Sequence, residues 1–290
     1  MRLTRQSPCK VNLLLNILGQ RPDGFHELET VLQPVPLWDV LEFTRAGPGI
    51  GLTCSNPALP LDATNLVHRA AAAFLQAARI DEGVQIHLEK KIPLAAGLGG
   101  GSGNAATTLR ALNDLFDRPL SAEQLHALAT ELGSDVPFFL QDKPALGTGR
   151  GERITPLEPF AALRGAVMLL IHPGFGIAAA WAYQQLASFP SALKGQPGRA
   201  LKLISLLQAD DLAAAGQSFY NSLEAPALNK YPVLALYQEF LRAQGAAATL
   251  MSGSGSTTFA LFKSQAAAEE AAERFRGRFG SACWMAIVAL

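Results

Sequence analysis

The sequence predicts an α+β protein organised in two domains. Apolar and polar residues alternate between Val84 and Glu89, which is the period of a strand with one buried face. A glycine-rich segment, residues 97–103, follows, and apolar residues then recur at helical spacing from Ala105 to Phe116. Pro156 lies in a stretch that interrupts regular structure, and the apolar run Ala166–Ile171 begins a second mixture of strands and helices.

Three helices are expected in the first half. One begins near Thr64 or Asn65, since both residue types favour the N-cap position, and it continues to about Ala78. The second follows the glycine-rich segment. The third opens on the capping-box pair Ser121 and Gln124 and ends at the next glycine.

The second half favours an antiparallel sheet with helices on one side, because strands and helices follow one another without a strictly repeating order. The expected elements are the strand 166–171, helices near 177–187, 199–214 and 230–243, the strands 246–251 and 257–262, the helix 265–276 and the strand 282–289. The predicted domains are residues 1–157 and residues 158–290.

Composition excludes several classes of partner. The 290 residues include 24 basic and 24 acidic side chains, so no excess of positive charge favours nucleic acid. The apolar run Ala166–Ile171 is far shorter than the ~20 residues that cross a bilayer, so no membrane span is expected. The N-terminus lacks the pattern of a signal peptide, which predicts a cytoplasmic protein. Cys9, Cys54 and Cys283 are widely spaced, so neither a disulfide nor a metal site is assigned to them.

The glycine-rich segment is the strongest chemical signal. Backbone N–H groups that no side chain covers can converge on an anion at the start of the following helix, which suits the phosphates of a nucleotide. A plain tight connection remains possible. The P-loop pattern GxxxxGK[ST] is absent, whereas Gly101, Gly103 and Ala106 match GxGxxA. A dinucleotide site is the poorer interpretation, because the acidic residue expected about twenty positions on, Glu123, falls inside a helix.

Polar residues at the N-terminus form a second candidate cluster. Lys10 and Asn12 are two apart in a strand-like run and therefore share one face of it. Either they belong to a site or that face is simply exposed. Asp23 and Gly24 are typical of a turn, which does not account for the Phe25-His26 pair that follows.

Three further motifs allow a structural or a functional interpretation. Asp135, in the segment LGSDVPFF, suits either an N-cap or a catalytic carboxylate. Residues 147–152, GTGRGE, are typical of a hairpin turn. Residues 252–256, SGSGS, connect two apolar strands and offer hydroxyls and bare backbone.

Taken together and in order, PCKVNLLLNILGQRPDGFHEL, PLAAGLGGGSGNAA, LGSDVPFFL, GTGRGE and MSGSGSTTFALF resemble the GHMP kinases. The likeness extends from Pro8 to about Phe262. It implies an N-terminal domain like ribosomal protein S5 domain 2, a ferredoxin-like C-terminal domain, and substrates bound between them. It also implies phosphorylation of a small-molecule hydroxyl with ATP and Mg²⁺ by a monomer or homodimer.

The resemblance assigns the nucleotide site. Asn65 and Leu66 would lie near the adenine, and the glycine-rich motif would wrap the ATP phosphates, with Ser102 contacting phosphate or magnesium. Relatives commonly have Gly, Gly and Ser where this chain has Ala95, Ala96 and Gly103. The residues of the motif are Pro93, Leu94, Ala95, Ala96, Gly97, Leu98, Gly99, Gly100, Gly101, Ser102, Gly103 and Asn104.

The resemblance also assigns the acceptor site. Asp135 would accept the proton of the attacking hydroxyl, and Lys10 would keep that carboxylate ionised and stabilise the transferring phosphoryl group. The expected acceptor is linked to cytidine diphosphate. The predicted substrate-binding residues are Asn12, Phe25, His26 and Tyr183.

In the acceptor site His26 would bind the cytosine edge, while Phe25 and Tyr183 would stack on its faces. Relatives usually have tyrosine in place of Phe25, and some have a hydroxyl residue in place of Ala179. Metal ligands are not assigned. Other interpretations are a nicotinamide-dependent oxidoreductase, an RNA-binding module, and, among kinases, a homoserine or mevalonate kinase.

Overall fold

The structure, a computed structural model, describes residues 2–290, which fold into two compact units. Two long strands, β1 (Arg2–Gln20) and β2 (His26–Ala46), contribute residues to both. The units are therefore not contiguous in sequence, and the boundary between residues 157 and 158 stays a prediction. The first unit comprises the residues up to Cys9, Leu37–Ile92 and Gly99–Asp142, and the second comprises Lys10–Pro36, Pro93–Leu98 and Lys143–Leu290.

The first unit combines a small sheet with three helices. β4 runs antiparallel to the end of β2, with Val40 opposite Glu89, and parallel to β3, with Cys54 opposite Leu88. The bounds of the new elements are β3 (Ile50–Cys54), α1 (Leu66–Ala78), β4 (Gly83–Glu89), α2 (Gly100–Leu115) and α3 (Ala122–Leu132).

Local sequence signals set the ends of α1 and α3 as predicted, whereas α2 begins at Gly100, inside the glycine-rich segment that was expected to precede it. The Asn65 side chain accepts a hydrogen bond from Val67 N and caps α1. The Ser121 and Gln124 side chains form a complete capping box at the start of α3. Gly133 is the C-cap residue of α3, so both predicted ends of that helix are confirmed.

The second unit contains the antiparallel sheet that the sequence predicts, and its four strands lie in the order β11-β7-β10-β9. Alternate residues Val167, Leu169 and Ile171 of β7 belong to a core that also includes Leu241 and Phe275, so α9 and α10 cover this face. The strands are β7 (Val167–His172), β9 (Ala248–Met251), β10 (Thr258–Phe262) and β11 (Trp284–Ala289), and the helices are α9 (Val233–Ala243) and α10 (Gln265–Phe279).

Shorter elements complete the second unit. β5 and β6 form the predicted hairpin, with Thr148 opposite Arg153, and β5 also pairs with the first half of β2. β8 runs parallel to β1. These elements are β5 (Ala145–Gly149), β6 (Arg153–Pro156), α4 (Ala179–Gln185), α5 (Pro190–Leu193), α6 (Arg199–Gln208), α7 (Leu212–Gly216), β8 (Tyr220–Asn221) and α8 (Glu224–Lys230).

Three predicted helices are wrong in their extent, one of them α10, which was expected to end at residue 276 and continues to Phe279. The helix expected over 199–214 is two helices, because Asp210 takes φ 57° and the Asp211 side chain caps α7. The helix expected from residue 230 begins at Val233, since Pro232 is its N-cap residue. Among residues 2–290, no helix combines the length and apolar character needed to span a membrane.

Candidate active site

A chain of hydrogen bonds along β1 and β2 orients Lys10. Its Nζ donates to Asn12 Oδ1 at 2.6 Å, and Asn12 Nδ2 donates to Thr30 Oγ1 at 2.9 Å. The Thr30 hydroxyl in turn donates to Leu14 O at 2.6 Å. The side chains of Lys10 and Asn12 therefore lie on one face of β1, as predicted. Because Asn12 Nδ2 donates to Thr30, the side-chain oxygen of Asn12 is directed at the ammonium group of Lys10.

The first part of the glycine-rich segment lies against β1. Lys10 N donates to Leu98 O at 2.9 Å, and Lys10 Nζ lies 3.3 Å from Gly97 O. The same carbonyl accepts from Ser252 Oγ at 2.9 Å. The structure therefore brings together three sequence motifs in the second unit, namely those containing Lys10, Gly97 and Ser252.

Gly97 occupies a position that only glycine fits. Its φ is 76°, and a Cβ there would lie 2.0 Å from Ser252 O. Ala95 also takes a positive φ, of 50°, which is unfavourable for an L-residue with a side chain.

The remaining glycines belong to the start of α2 in the first unit. Gly100 packs on Ile92, and a Cβ on Gly103 would lie 2.5 Å from Pro8 O. Gly101 is exposed, and a Cβ there would meet only Leu66 Cδ1, at an ordinary van der Waals distance of 3.6 Å. Ser102 is half-buried on the same turn. The N-cap residue of α2 is a glycine with no side-chain cap, so the first N–H groups of the helix are available to an anion.

A buried carboxylate anchors this turn. Asp39 is completely buried and accepts hydrogen bonds from Lys91 N at 2.8 Å and from Ile92 N at 2.9 Å. It also forms an ion pair with the buried Lys90 side chain and accepts from Asn104 Nδ2 at 2.9 Å. Asp39 therefore connects the residues that precede the glycine-rich segment to α2. Asp39 was not among the predicted site residues, although a carboxylate with apolar neighbours on both sides, in the stretch VPLWDVLEF, was a usable signal.

Two asparagines that were predicted to bind the nucleotide have structural partners. Asn104 is 2% exposed, and its Nδ2 also donates to Ser7 Oγ at 2.9 Å. Asn65 caps α1, and its Nδ2 donates to Pro60 O at 2.7 Å. Both side chains therefore stabilise the turns on which they lie, and contact with a nucleotide stays a prediction.

Asp135 lies just beyond α3, half-buried between Gly133 and the short helix that begins at Pro137. It is not the N-cap residue of that helix, which is Val136. The short helix packs against α2, with Phe139 Cε1 3.5 Å from the Cβ position of Gly103. The carboxylate therefore belongs to the unit that contains the start of α2.

The predicted nucleoside-binding rings come from two places in the second unit: Phe25 and His26 lie at the end of the turn between β1 and β2, and Tyr183 lies on α4. The rings of His26 and Tyr183 lie 5.2 Å apart between centroids, inclined by 32°. Partial burial lowers the pKa of His26, so the imidazole is neutral at pH 7. Phe25 is 51% exposed, and the guanidinium of Arg150 lies over its ring. Three of the four predicted substrate-binding side chains thus offer rings, two of them close together.

The described residues contain no group of three His, Cys, Asp or Glu side chains that could bind a metal ion. Mg²⁺ that is delivered with a nucleotide does not require such a group, because it commonly uses one or two carboxylates together with phosphate oxygens and water. The GxGxxA match, Gly101 to Ala106, lies wholly inside α2 and not in a loop after a strand, which disfavours the dinucleotide interpretation.

Comparison with known proteins identifies the family. Residues 65–143 match the family described as GHMP kinases N terminal domain, and residues 192–281 match GHMP kinases C terminal. Both matches agree with the resemblance that the sequence motifs show.

Curated relatives align with most of this chain. A protein from Geobacter sp. (strain M21) is 40% identical over 287 residues, covering 97% of this chain and 98% of its own, and one from Synechococcus sp. (strain JA-3-3Ab) is 42% identical over 269 residues, covering 91% and 86%. Both are named 4-diphosphocytidyl-2-C-methyl-D-erythritol kinase.

Solved structures give the same result for the fold. A crystal structure of 4-(cytidine 5'-diphospho)-2C-methyl-D-erythritol kinase is 34% identical, with a TM-score of 0.79 over 99% of this chain and 100% of that one. A homoserine kinase from Cytophaga hutchinsonii ATCC 33406 has a TM-score of 0.76 at 21% identity, covering 100% and 95%, and shows the fold alone.

Proposed function

This chain belongs to the GHMP kinase family, and from that premise we propose that it phosphorylates the 2-hydroxyl of 4-diphosphocytidyl-2-C-methyl-D-erythritol with ATP. The observation that carries the proposal is the shared name of relatives about 40% identical over nearly the whole chain. The reaction would belong to the non-mevalonate route to isoprenoid precursors. Homoserine and mevalonate are the alternative acceptors, and the solved kinases with those names share 21% identity or less with this chain.

We assign ATP to the glycine-rich segment. The uncapped start of α2 presents N–H groups and the positive end of the helix dipole, both of which favour phosphate. Gly101 leaves the backbone open on that turn, with Ser102 beside it, and Leu66 lies next to Gly101 where the adenine is expected. When bound, Mg²⁺ would neutralise charge on the phosphate oxygens, with Ser102 as a candidate ligand.

Lys10 and Asp135 are the proposed catalytic residues. Asn12 and Gly97 O hold the ammonium group of Lys10 in one orientation, so its charge is fixed before substrate arrives. Asp135 would accept the proton of the attacking hydroxyl. Phosphoryl transfer depends mostly on positioning and on compensating charge, and this arrangement of Lys10 meets the second need.

The nucleoside would be recognised by the turn between β1 and β2. Neutral His26 has one donor and one acceptor nitrogen and can pair with the edge of cytosine. Tyr183, whose ring already lies beside that of His26, and Phe25 offer stacking surfaces.

The proposal extends to the arrangement of the enzyme. Residues 1–157 would bind ATP and residues 158–290 would complete the kinase, since the two family matches fall on either side of that boundary. We expect a cytoplasmic monomer or homodimer whose substrates are small molecules. We do not expect nucleic acid to bind, because the chain carries no net positive charge that would favour it.

A coupled ADP-release assay tests the acceptor. We expect turnover with the cytidyl diphosphate substrate and none above background with homoserine or mevalonate. Turnover with either of these in place of the cytidyl substrate would overturn the assignment.

The role of Asp135 has its own test. Asp135→Asn should lower kcat by about 10²- to 10⁴-fold, the usual contribution of a general base, without loss of stability. Asp142→Asn, an exposed carboxylate in the same unit, should leave kcat unchanged. Near-normal turnover by a folded Asp135→Asn protein would remove Asp135 from the role of base.

A further inference from the structure

An arginine covers one face of an exposed aromatic ring at the proposed nucleoside site. The Cζ atom of Arg150 lies 4.5 Å from the centroid of the Phe25 ring, and residue Phe25 is 51% exposed. Phe25 has no hydroxyl, so the orientation of its ring depends on what packs against its two faces. The guanidinium occupies one face, and the half-exposed side chain keeps surface that a ligand can contact.

The backbone on both sides of this contact is fixed. Arg150 N donates to Glu152 Oε2 at 2.7 Å in the turn between β5 and β6. Phe25 N donates to Asp23 Oδ1 at 3.1 Å, and Arg21 Nε lies 3.2 Å from Asp23 Oδ2. Each side chain of the pair therefore projects from a turn whose conformation is held by a carboxylate.

The charges around the turn favour this arrangement. Desolvation acts to raise the pKa of Asp23, but hydrogen bonds from Phe25 N and Arg21, with the charges of Arg21 and Arg150, lower it below its ordinary value. Asp23 is thus ionised at pH 7, and the guanidinium of Arg150 is attracted both to this carboxylate and to the face of the Phe25 ring.

We propose that Arg150 is a positioning residue for nucleobase binding, which holds the Phe25 ring so that its uncovered face receives the cytosine of the substrate. The inference rests on the proposed function. An exposed ring that samples several rotamers must be ordered when a base stacks on it, and this ordering weakens binding. The stacked guanidinium orders the ring beforehand.

The size of the effect follows from the strength of cation–π contacts at exposed sites. Removal of the guanidinium should weaken binding of the cytidine moiety by about two- to fivefold. Because Arg150 acts through Phe25, the KM for ATP should not change.

A double-mutant cycle tests the inference, with cytidine 5'-diphosphate as the titrated probe in calorimetry and the KM values of both substrates measured in parallel. Arg150→Ala should weaken binding of the probe by the stated factor and raise the KM of the cytidyl substrate equally. Arg153→Ala is the matched control, since Arg153 lies on the same hairpin with its side chain 73% exposed. It should leave both values unchanged.

The second half of the double-mutant cycle measures Arg150→Ala in a protein that lacks the Phe25 ring. Phe25→Leu keeps an apolar side chain and removes the π face, so adding Arg150→Ala to it should cause no further loss. A full loss in this background would show that Arg150 contacts the ligand directly and would overturn the inference. An effect of Arg150→Ala no larger than that of Arg153→Ala would also overturn it.

The two proposals fail in different ways. A wild-type protein that releases no ADP with the cytidyl substrate and binds no cytidine 5'-diphosphate overturns the proposed function, and the inference with it. If the wild-type protein releases ADP with the cytidyl substrate and binds cytidine 5'-diphosphate, but the effects of Arg150→Ala and Phe25→Leu are additive, the proposed function stands. Only the role of Arg150 is then overturned.

Discussion

The start of α2 and the turn between β1 and β2 both carry proposed binding groups, but the two regions are held in different ways. Around α2, Asp39 and Lys90 are charged groups buried at 0% and 3% side-chain exposure, and they fix backbone on both sides of the glycine-rich segment. At the other turn, Phe25 is half exposed and its ring is covered by a surface arginine.

This difference matches the ligands that the two regions are proposed to bind. Backbone N–H groups bind the phosphates. These groups must be fixed in advance, because the rotation of a single side chain cannot reorient them. A nucleobase is bound by the rings and polar edges of side chains. Such a side chain can be substituted if another group holds the new side chain in the orientation that binding requires. We therefore expect changes near Asp39 to act on stability and changes near Phe25 to act on binding.

The largest effect should come from Asp39→Asn. It leaves the ammonium of Lys90 buried without its counter-charge, and breaking a buried pair from one side typically costs about 3–5 kcal/mol. Urea denaturation gives this free energy of unfolding.

The matched control is Asp142→Asn. It removes one member of the exposed pair Arg110–Asp142 and should cost less than about 1 kcal/mol. The contrast between the two regions fails if Asp39→Asn costs no more than this control.

Sequence reasoning recovers the parts of this arrangement that depend on neighbouring residues. The caps at Asn65 and Ser121, the strand period of β4 and the shared face of Lys10 and Asn12 are all local, and the structure confirms them. The partners of Asp39, namely Lys90 and Asn104, are 51 and 65 positions away, and no local pattern indicates them.

Local rules also explain what the sequence analysis missed in the fold. β2 was not predicted, because it contains Pro34 and Pro36, and proline within an apolar run disfavours a strand assignment. These prolines lie beside the point where β2 passes from one unit to the other, at Leu37. The break between α6 and α7 was missed because the positive φ of Asp210 has no unique sequence signature.

Gly103→Ala should have the next largest effect. Its Cβ would lie 2.5 Å from Pro8 O, a backbone atom that cannot move away as a flexible side chain would, so we expect a loss of about 1–3 kcal/mol. Thermal or urea unfolding measures it.

Gly101→Ala provides the comparison on the same turn, because its Cβ would make only an ordinary van der Waals contact, with Leu66 Cδ1 at 3.6 Å. It should not destabilise the protein, since alanine has the higher helix propensity. It should instead raise the KM for ATP by placing a methyl group where a phosphate approaches. Equal losses of stability in the two variants would show that packing does not distinguish these glycines.

His26 provides a pH-dependent prediction for the other region. Burial lowers its pKa below the usual 6.5, so the unfolded chain binds a proton more readily than the folded one. The contribution of neutral His26 to stability is therefore complete above about pH 6.5 and declines as the pH falls below that value.

Binding should follow the same titration. The kcat/KM for the cytidyl substrate should be constant from pH 7 to 8 and should fall by up to about tenfold per pH unit once His26 is protonated. His26→Gln should remove this phase from the pH profile, which steady-state kinetics would detect. A profile unchanged by the substitution would assign the titration to another group.

The smallest effect concerns Ala95, which lies in the second unit at the beginning of the glycine-rich motif. Its φ of 50° is a conformation that glycine adopts readily and alanine does not, so Ala95→Gly should raise the free energy of unfolding by about 0.5–1 kcal/mol. The adjacent Ala96→Gly is the control. Ala96 is 3% exposed and is absent from the positive-φ residues of the described chain, so its loss of a buried methyl group should cost about 1 kcal/mol. If urea denaturation gives changes of opposite sign in the free energy of unfolding of the two variants, the strain lies at Ala95. A lower free energy of unfolding in both variants would mean that Ala95 carries no conformational strain.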